Sequence, residues 1–119
     1  MISRIYRFHG HNSLRFVYAK GRSTHSSLLS IRYAVNAHRK NYRCAVVVSK
    51  KVNKSAVIRN RIRRRIYEQL RIRSDLQQKN IDLVVTVRSD KIATLPTEEL
   101  QKLINDLLLQ AFTNLNNVK

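Results

Sequence analysis

The sequence predicts an α+β fold, a two-layer α/β sandwich with helices packed on one small mixed sheet. Three observations carry that prediction. Residues 28–36 alternate, with Leu29, Ile31, Tyr33 and Val35 on one side and Ser30, Arg32 and Ala34 on the other, which is the pattern of a strand with one buried face. Residues 42–49 (YRCAVVVS) and Ile81–Val87 (IDLVVTV) are short runs rich in β-branched residues. Two longer segments repeat apolar residues at helical spacing: Ile58, Ile62, Ile66 and Leu70, then Leu100, Leu103, Ile104, Leu107, Leu108, Ala111 and Phe112.

Taken in chain order, residues 13–20 (SLRFVYAK) fit a short helix with Leu14, Val17 and Tyr18 on one side and Gly21 as its stop, with a strand through FVY as the alternative. The alternating strand follows, then a polar, basic turn at residues 37–41. The run at 42–49 reads as a more central strand, because apolar residues there are nearly continuous. Ser55 is a fitting N-cap for the first long helix. Pro96-Thr97-Glu98-Glu99 opens the last one, with proline and acids where a helix start favours them.

A chain of 119 residues suits one domain spanning 1–119, its ends expected to be mobile. The sequence holds no apolar run near the ~20 residues that cross a bilayer, and its first residues lack a continuous apolar signal segment. Cys44 is the single cysteine, so no internal disulfide forms. These features predict a cytoplasmic protein with no membrane partner.

Charge is the most informative quantity. The net charge is +17, and it is unevenly placed: no Asp or Glu precedes Glu68. Residues 50–73 (KKVNKSAVIRNRIRRRIYEQLRIR) hold ten Lys or Arg and one acid. Like charges four apart on a helix each cost a few tenths of a kcal/mol, and lysines at a helix start oppose its dipole by roughly 0.3–1 kcal/mol. A solvated, salt-bridged face would need acids to pair with, and Glu68 stands alone. A membrane-surface helix would need its apolar stripe exposed, whereas the isoleucines are required for the core. A polyanion is the remaining partner, and nucleic acid is the commonest.

On a wheel of about 100° per residue, Asn60, Arg61, Arg64 and Glu68 fall opposite the isoleucine stripe, while Arg59 and Arg65 flank it and are expected to reach outward. Lys50, Lys51 and Lys54 precede the helix, where free backbone N–H groups favour anions. Arg forks suit phosphate bidentately, and Lys adds point charge.

The stretch SKKVNKSAVIRNRIRRRIYE resembles the signature of the protein subunit of bacterial ribonuclease P: a Lys-Lys pair, then Arg-Asn-Arg opening a basic helix. Lys50-Lys51, Arg59-Asn60-Arg61 and Arg64 match it position by position, and the likeness runs through the last strand and the acidic-start terminal helix. The resemblance implies the order α-β-β-β-α-β-α, a relationship to a ribosomal-protein domain, and a left-handed β-α-β crossover. General handedness rules favour the opposite hand in about 98% of such units.

The same resemblance implies a subunit that binds a catalytic RNA, one protein per RNA, through the Arg-Asn-Arg region. That RNA removes the 5′ leader of precursor tRNA using Mg²⁺, with no metal site on the protein. The single-stranded leader would lie in a cleft between the sheet and the first helix. In this chain Phe16, Tyr18 and Arg32 are the candidates for that cleft, although Leu14 stands where the family commonly has Phe, and Arg32 where some members have Tyr. Core packing is the competing reading for Phe16 and Tyr18. Base–aromatic stacking contributes roughly 1–3 kcal/mol per base, so a missing ring weakens the cleft.

No nucleophile is paired with a base, and no catalytic residue is assigned. His9-Gly10-His11 lacks a nearby third ligand, and Cys44 reads as a small core residue. Two rival functions remain in view: a structural, ribosomal-type RNA-binding protein without a processing role, and a DNA-binding protein using the basic helix. The first usually carries an extended basic tail, and the second lacks a helix-turn-helix or zipper here.

Overall fold

The computed structural model describes Val17 and residues 21–35, 42–73 and 80–117, with side chains through Thr113. The elements are β1 (Arg22–His25), β2 (Leu29–Val35), β3 (Arg43–Val47), α1 (Ala56–Arg71), β4 (Ile81–Val87), a 3₁₀ turn (Asp90–Ala93) and α2 (Thr97–Asn117). The expected first helix lies outside the described residues except for Val17.

The four strands form one sheet in the order β1-β2-β4-β3. β2 lies antiparallel to β1 and β4, with Ile31 opposite both Thr24 and Val85. β3 runs parallel to β4, with Cys44 opposite Leu83. Helix α1 is therefore the crossover between two neighbouring parallel strands, which a two-residue turn cannot join. Both helices pack on one sheet face. Leu29, Ile31, Tyr33, Cys44, Val46, Leu83 and Val85 meet Ile62, Ile66 and Leu70 from α1 and Leu100, Ile104 and Leu108 from α2 in one core.

Two readings of the strands need correction, and a third strand carried no signal of its own. The run at 42–49 is an edge strand, and β4 takes the central place. Apolar density misleads here because Tyr42, Cys44, Val46 and Val48 all turn to the core, whereas Val47 is exposed. Burial on both faces marks the central strand, and residues 81–85 are all buried. β2 was expected to bury one face, yet Ser30 and Ala34 are buried as well, while Val35 at its end is exposed. β1 was not legible in the residue pattern, since its sequence RSTH contains no large apolar side chain. Its inward residue is Thr24, whose hydroxyl donates to the Leu107 carbonyl at 3.3 Å and so ties the edge to α2.

Several polar contacts fix the layers. The Tyr67 hydroxyl accepts the buried Val46 N–H at 3.2 Å, satisfying an amide of the edge strand from the crossover helix. Arg43 grips Asp82 across the parallel pair, with Nε and Nη2 at 3.1 and 2.9 Å from the two carboxylate oxygens. Gly21 donates to the Val17 carbonyl at 2.7 Å. A Cβ at Gly21 would lie 2.3 Å from that oxygen and 2.8 Å from the Tyr33 oxygen, so close backbone approach demands glycine.

Candidate nucleic-acid interface

The segment before α1 is ordered by its own polar groups. Ser55 caps the helix by accepting the Ile58 N–H at 3.4 Å, as its position predicts. Asn53 accepts the Ser55 N–H at 2.8 Å and donates to Asp90 at 3.1 Å. Arg59 folds back, its Nη1 donating to the Asn53 and Lys54 carbonyls at 3.0 and 2.9 Å. The backbone that carries Lys50, Lys51 and Lys54 is thereby held, while those three side chains stay exposed. No acid occupies the first turn of α1, so the partial positive charge of its free N–H groups adds to the lysines.

Along α1 the stripe behaves as its spacing predicts, with Ile62, Ile66 and Leu70 fully buried and Ile58 packed against the core's margin. The opposite face carries Asn60, Arg61 and Arg64, all exposed. Asn60 accepts from Arg63 at 2.7 Å. Arg61 and Arg64 have no hydrogen-bond or ion-pair partner among the described residues. Glu68, the acid four residues after Arg64, instead closes on Arg71 at 2.8 Å. That hydrogen bond, aided by the charge of the guanidinium and opposed by slight burial, holds the Glu68 carboxyl below the ordinary glutamate range.

Arg65 does not reach outward as its flanking position suggested. Its guanidinium donates to the carbonyls of Ile92 and Leu95, joining α1 to the 3₁₀ turn that leads into α2. The wheel places Arg65 beside the stripe, but only tertiary structure supplies these acceptors. Arg59 is likewise engaged on loop carbonyls. Of the candidate site's cations, those left pointing outward are therefore Lys50, Lys51, Lys54, Arg61 and Arg64.

On the other sheet face, Arg32 is half-buried, with Nε donating to the Val17 carbonyl and Nη1 to Ser23 Oγ, each at 3.2 Å. It sits in register with Ser23 and Val84, two residues along β4 from the Asp82 of the Arg43–Asp82 bridge. Phe16 and Tyr18, the other candidates for a leader cleft, lie outside the described residues, as does the His9-Gly10-His11 pair. Cys44 is buried in the core and takes part in no disulfide. Among the described residues no group of three His, Cys, Asp or Glu is placed to hold a metal ion, and no helix is long and apolar enough to cross a membrane.

A four-stranded α+β sandwich whose crossover helix presents Arg61 and Arg64 without counter-charges among the described residues defines a basic domain of the nucleic-acid-binding class. Comparison with known proteins gives the family. A profile of the Ribonuclease P family matches residues 2–111. The Ribonuclease P protein component of Chloroflexus aurantiacus is 37% identical over 108 residues, covering 91% of this chain and 78% of that protein. That of Roseiflexus castenholzii is 33% identical over 110 residues, covering 92% and 88%. The RNase P protein of Staphylococcus aureus superposes with a TM-score of 0.77 at 25% identity, covering 89% of this chain and 94% of that one. The RNase P protein of Thermotoga maritima shares the fold, with a TM-score of 0.72 over 85% and 94% of the two chains. The chain belongs to the ribonuclease P protein family.

Proposed function

We propose that the chain is the protein subunit of a ribonuclease P holoenzyme in the cytoplasm, one protein assembling with one catalytic RNA. The observation that carries this reading is the outward face of α1, where Arg61 and Arg64 stand without partners among the described residues, beside a lysine-bearing loop, in a chain of this family. The protein's share of the work is electrostatic and geometric. Lys50, Lys51, Lys54, Arg61 and Arg64 neutralise phosphates of the RNA subunit; Arg59 and Arg65 hold the loop and the helix in the presenting arrangement, and Asn60 orients Arg63.

The RNA subunit supplies cleavage of the precursor tRNA leader, with Mg²⁺ held by RNA and substrate. The protein contributes no nucleophile. Leader binding is assigned to Phe16, Tyr18 and Arg32, with the rings stacking on bases. Arg32 contributes charge at the cleft wall while bound to Val17 and Ser23.

The two surfaces are tested separately. Arg61→Ala with Arg64→Ala should weaken assembly with a ribonuclease P RNA whether or not the substrate has a leader. Tyr18→Ala with Arg32→Ala should leave assembly intact and weaken binding of precursor tRNA but not of mature tRNA. Equal weakening of both substrates by the second pair would remove the leader assignment.

A further inference from the structure

Between the exposed face of α1 and the first turn of α2 lies an open groove of about 300 Å³. Arg61, Arg64, Glu68 and Gln69 line it from α1, and Thr97 and Leu100 from α2, with Arg65 fastening the two sides through Ile92 and Leu95. Gln69 is the unexpected member. It is only 8% exposed, yet its amide has no hydrogen-bond partner among the described residues. A carboxamide offers two donors and an acceptor in one plane, and buried groups of this kind are normally satisfied. Leu100, wholly buried, closes the floor of the groove, while Arg61 and Arg64 stand at the rim without a partner among the described residues.

These features select a ligand with two parts: an edge with both donor and acceptor, and an attached anion. A lone phosphate uses only the arginines, and the groove volume falls at the lower end of the ~300–1,000 Å³ typical of small-molecule sites. An acidic peptide side chain would leave the Gln69 donor–acceptor pair half used. Gln pairs bidentately with base edges, as with adenine N6 and N7. We propose that this groove receives one unpaired nucleotide of the bound RNA. Its base edge lies on the Gln69 amide and its phosphate between Arg61 and Arg64. The occupant rests on the RNA-subunit reading above; the ligand class rests on the groove.

The test uses the full chain, isotopically labelled, with the Gln69 side-chain amide and the Arg61 and Arg64 Nε–H groups followed by NMR, the arginine signals serving for phosphate and for the Gln69 variants. Each of the four nucleoside monophosphates and inorganic phosphate is titrated in turn. At least one nucleotide should shift the Gln69 amide and saturate at a concentration about 5- to 150-fold below that of phosphate. Gln69→Leu should abolish that preference while leaving phosphate affinity unchanged, with Gln69→Ala as the second variant if leucine perturbs folding. In the complex with a bacterial ribonuclease P RNA, an added nucleotide should no longer shift Gln69, because the RNA fills the groove. A Gln69 amide silent to nucleotides, or moved equally by phosphate, overturns the nucleotide site even where the RNA still assembles through Arg61 and Arg64. Nucleotide binding that persists in the complex overturns the RNA as occupant. Failure of the RNA to assemble at all overturns the parent reading and this occupant together, and the titration of the free protein then judges the groove alone.

Discussion

Glu68 lies three residues before Arg71 on α1 and accepts from its Nε and Nη2, with the shortest contact at 2.8 Å. The choice of Arg71 over Arg64 shapes the function. The one acid in the basic segment neutralises a cation near the helix end, and Arg64 is left for an outside partner. Because the folded carboxyl titrates below its ordinary value, the pair contributes stability above the unfolded pKa, and that contribution fades as pH falls through the folded one. The difference in thermal midpoint between the protein and Glu68→Gln should be constant at neutral pH and shrink in acid, below about pH 4.3. It should be small throughout, since both side chains are about half exposed.

RNA affinity should depend steeply on salt. If the interface neutralises about 6–10 phosphates, affinity falls roughly 10³–10⁵-fold between 50 and 200 mM salt, taking duplex DNA as the upper guide. Arg61→Ala with Arg64→Ala should flatten the slope by nearly two units, whereas replacing Arg65 should act mainly on thermal stability. Filter binding across a salt series checks both.

Asp82 is wholly buried and held by Arg43. Asp82→Ala leaves a mostly buried guanidinium without its counter-charge and should destabilise the fold by about 3–5 kcal/mol in denaturant titration. Replacing both residues with apolar ones of similar volume should recover much of that loss. Tyr67→Phe removes the acceptor for the buried Val46 N–H and should cost about 1–3 kcal/mol.

Gly21→Ala should destabilise by about 1–3 kcal/mol, because the added carbon meets two carbonyl oxygens fixed in the backbone. A Gly21→Ala protein with an unchanged thermal midpoint would show that the chain at this point relaxes freely.

The sequence made the apolar scaffold legible, because periodicity records which side of an element is dry. Both long helices, the Ser55 cap, the acidic start of α2 and the strand at Ile81–Val87 follow their patterns closely. Whatever depends on partners distant in the chain was hidden. β1 has no apolar signature because its anchor is a threonine bonded to α2. Asp82 looked like a stray acid until the sheet set it beside Arg43, 39 residues earlier. Of the arginines on α1, spacing separated Arg61 and Arg64 from the stripe but could not reveal the carbonyls that capture Arg59 and Arg65. Gln69 gave no sequence signal, since an unsatisfied amide is a property of its surroundings.

The most direct test of the account is cleavage of precursor tRNA by the purified chain with and without a bacterial ribonuclease P RNA, at a physiological Mg²⁺ concentration. The protein alone should leave the substrate intact at every Mg²⁺ concentration, and the RNA alone should be weak at the physiological one. Together they should release the 5′ leader, with Arg61→Ala and Arg64→Ala impairing that gain. Leader removal by the protein without RNA, from preparations free of contaminating nuclease, or an RNA whose cleavage the protein leaves unchanged, would contradict it.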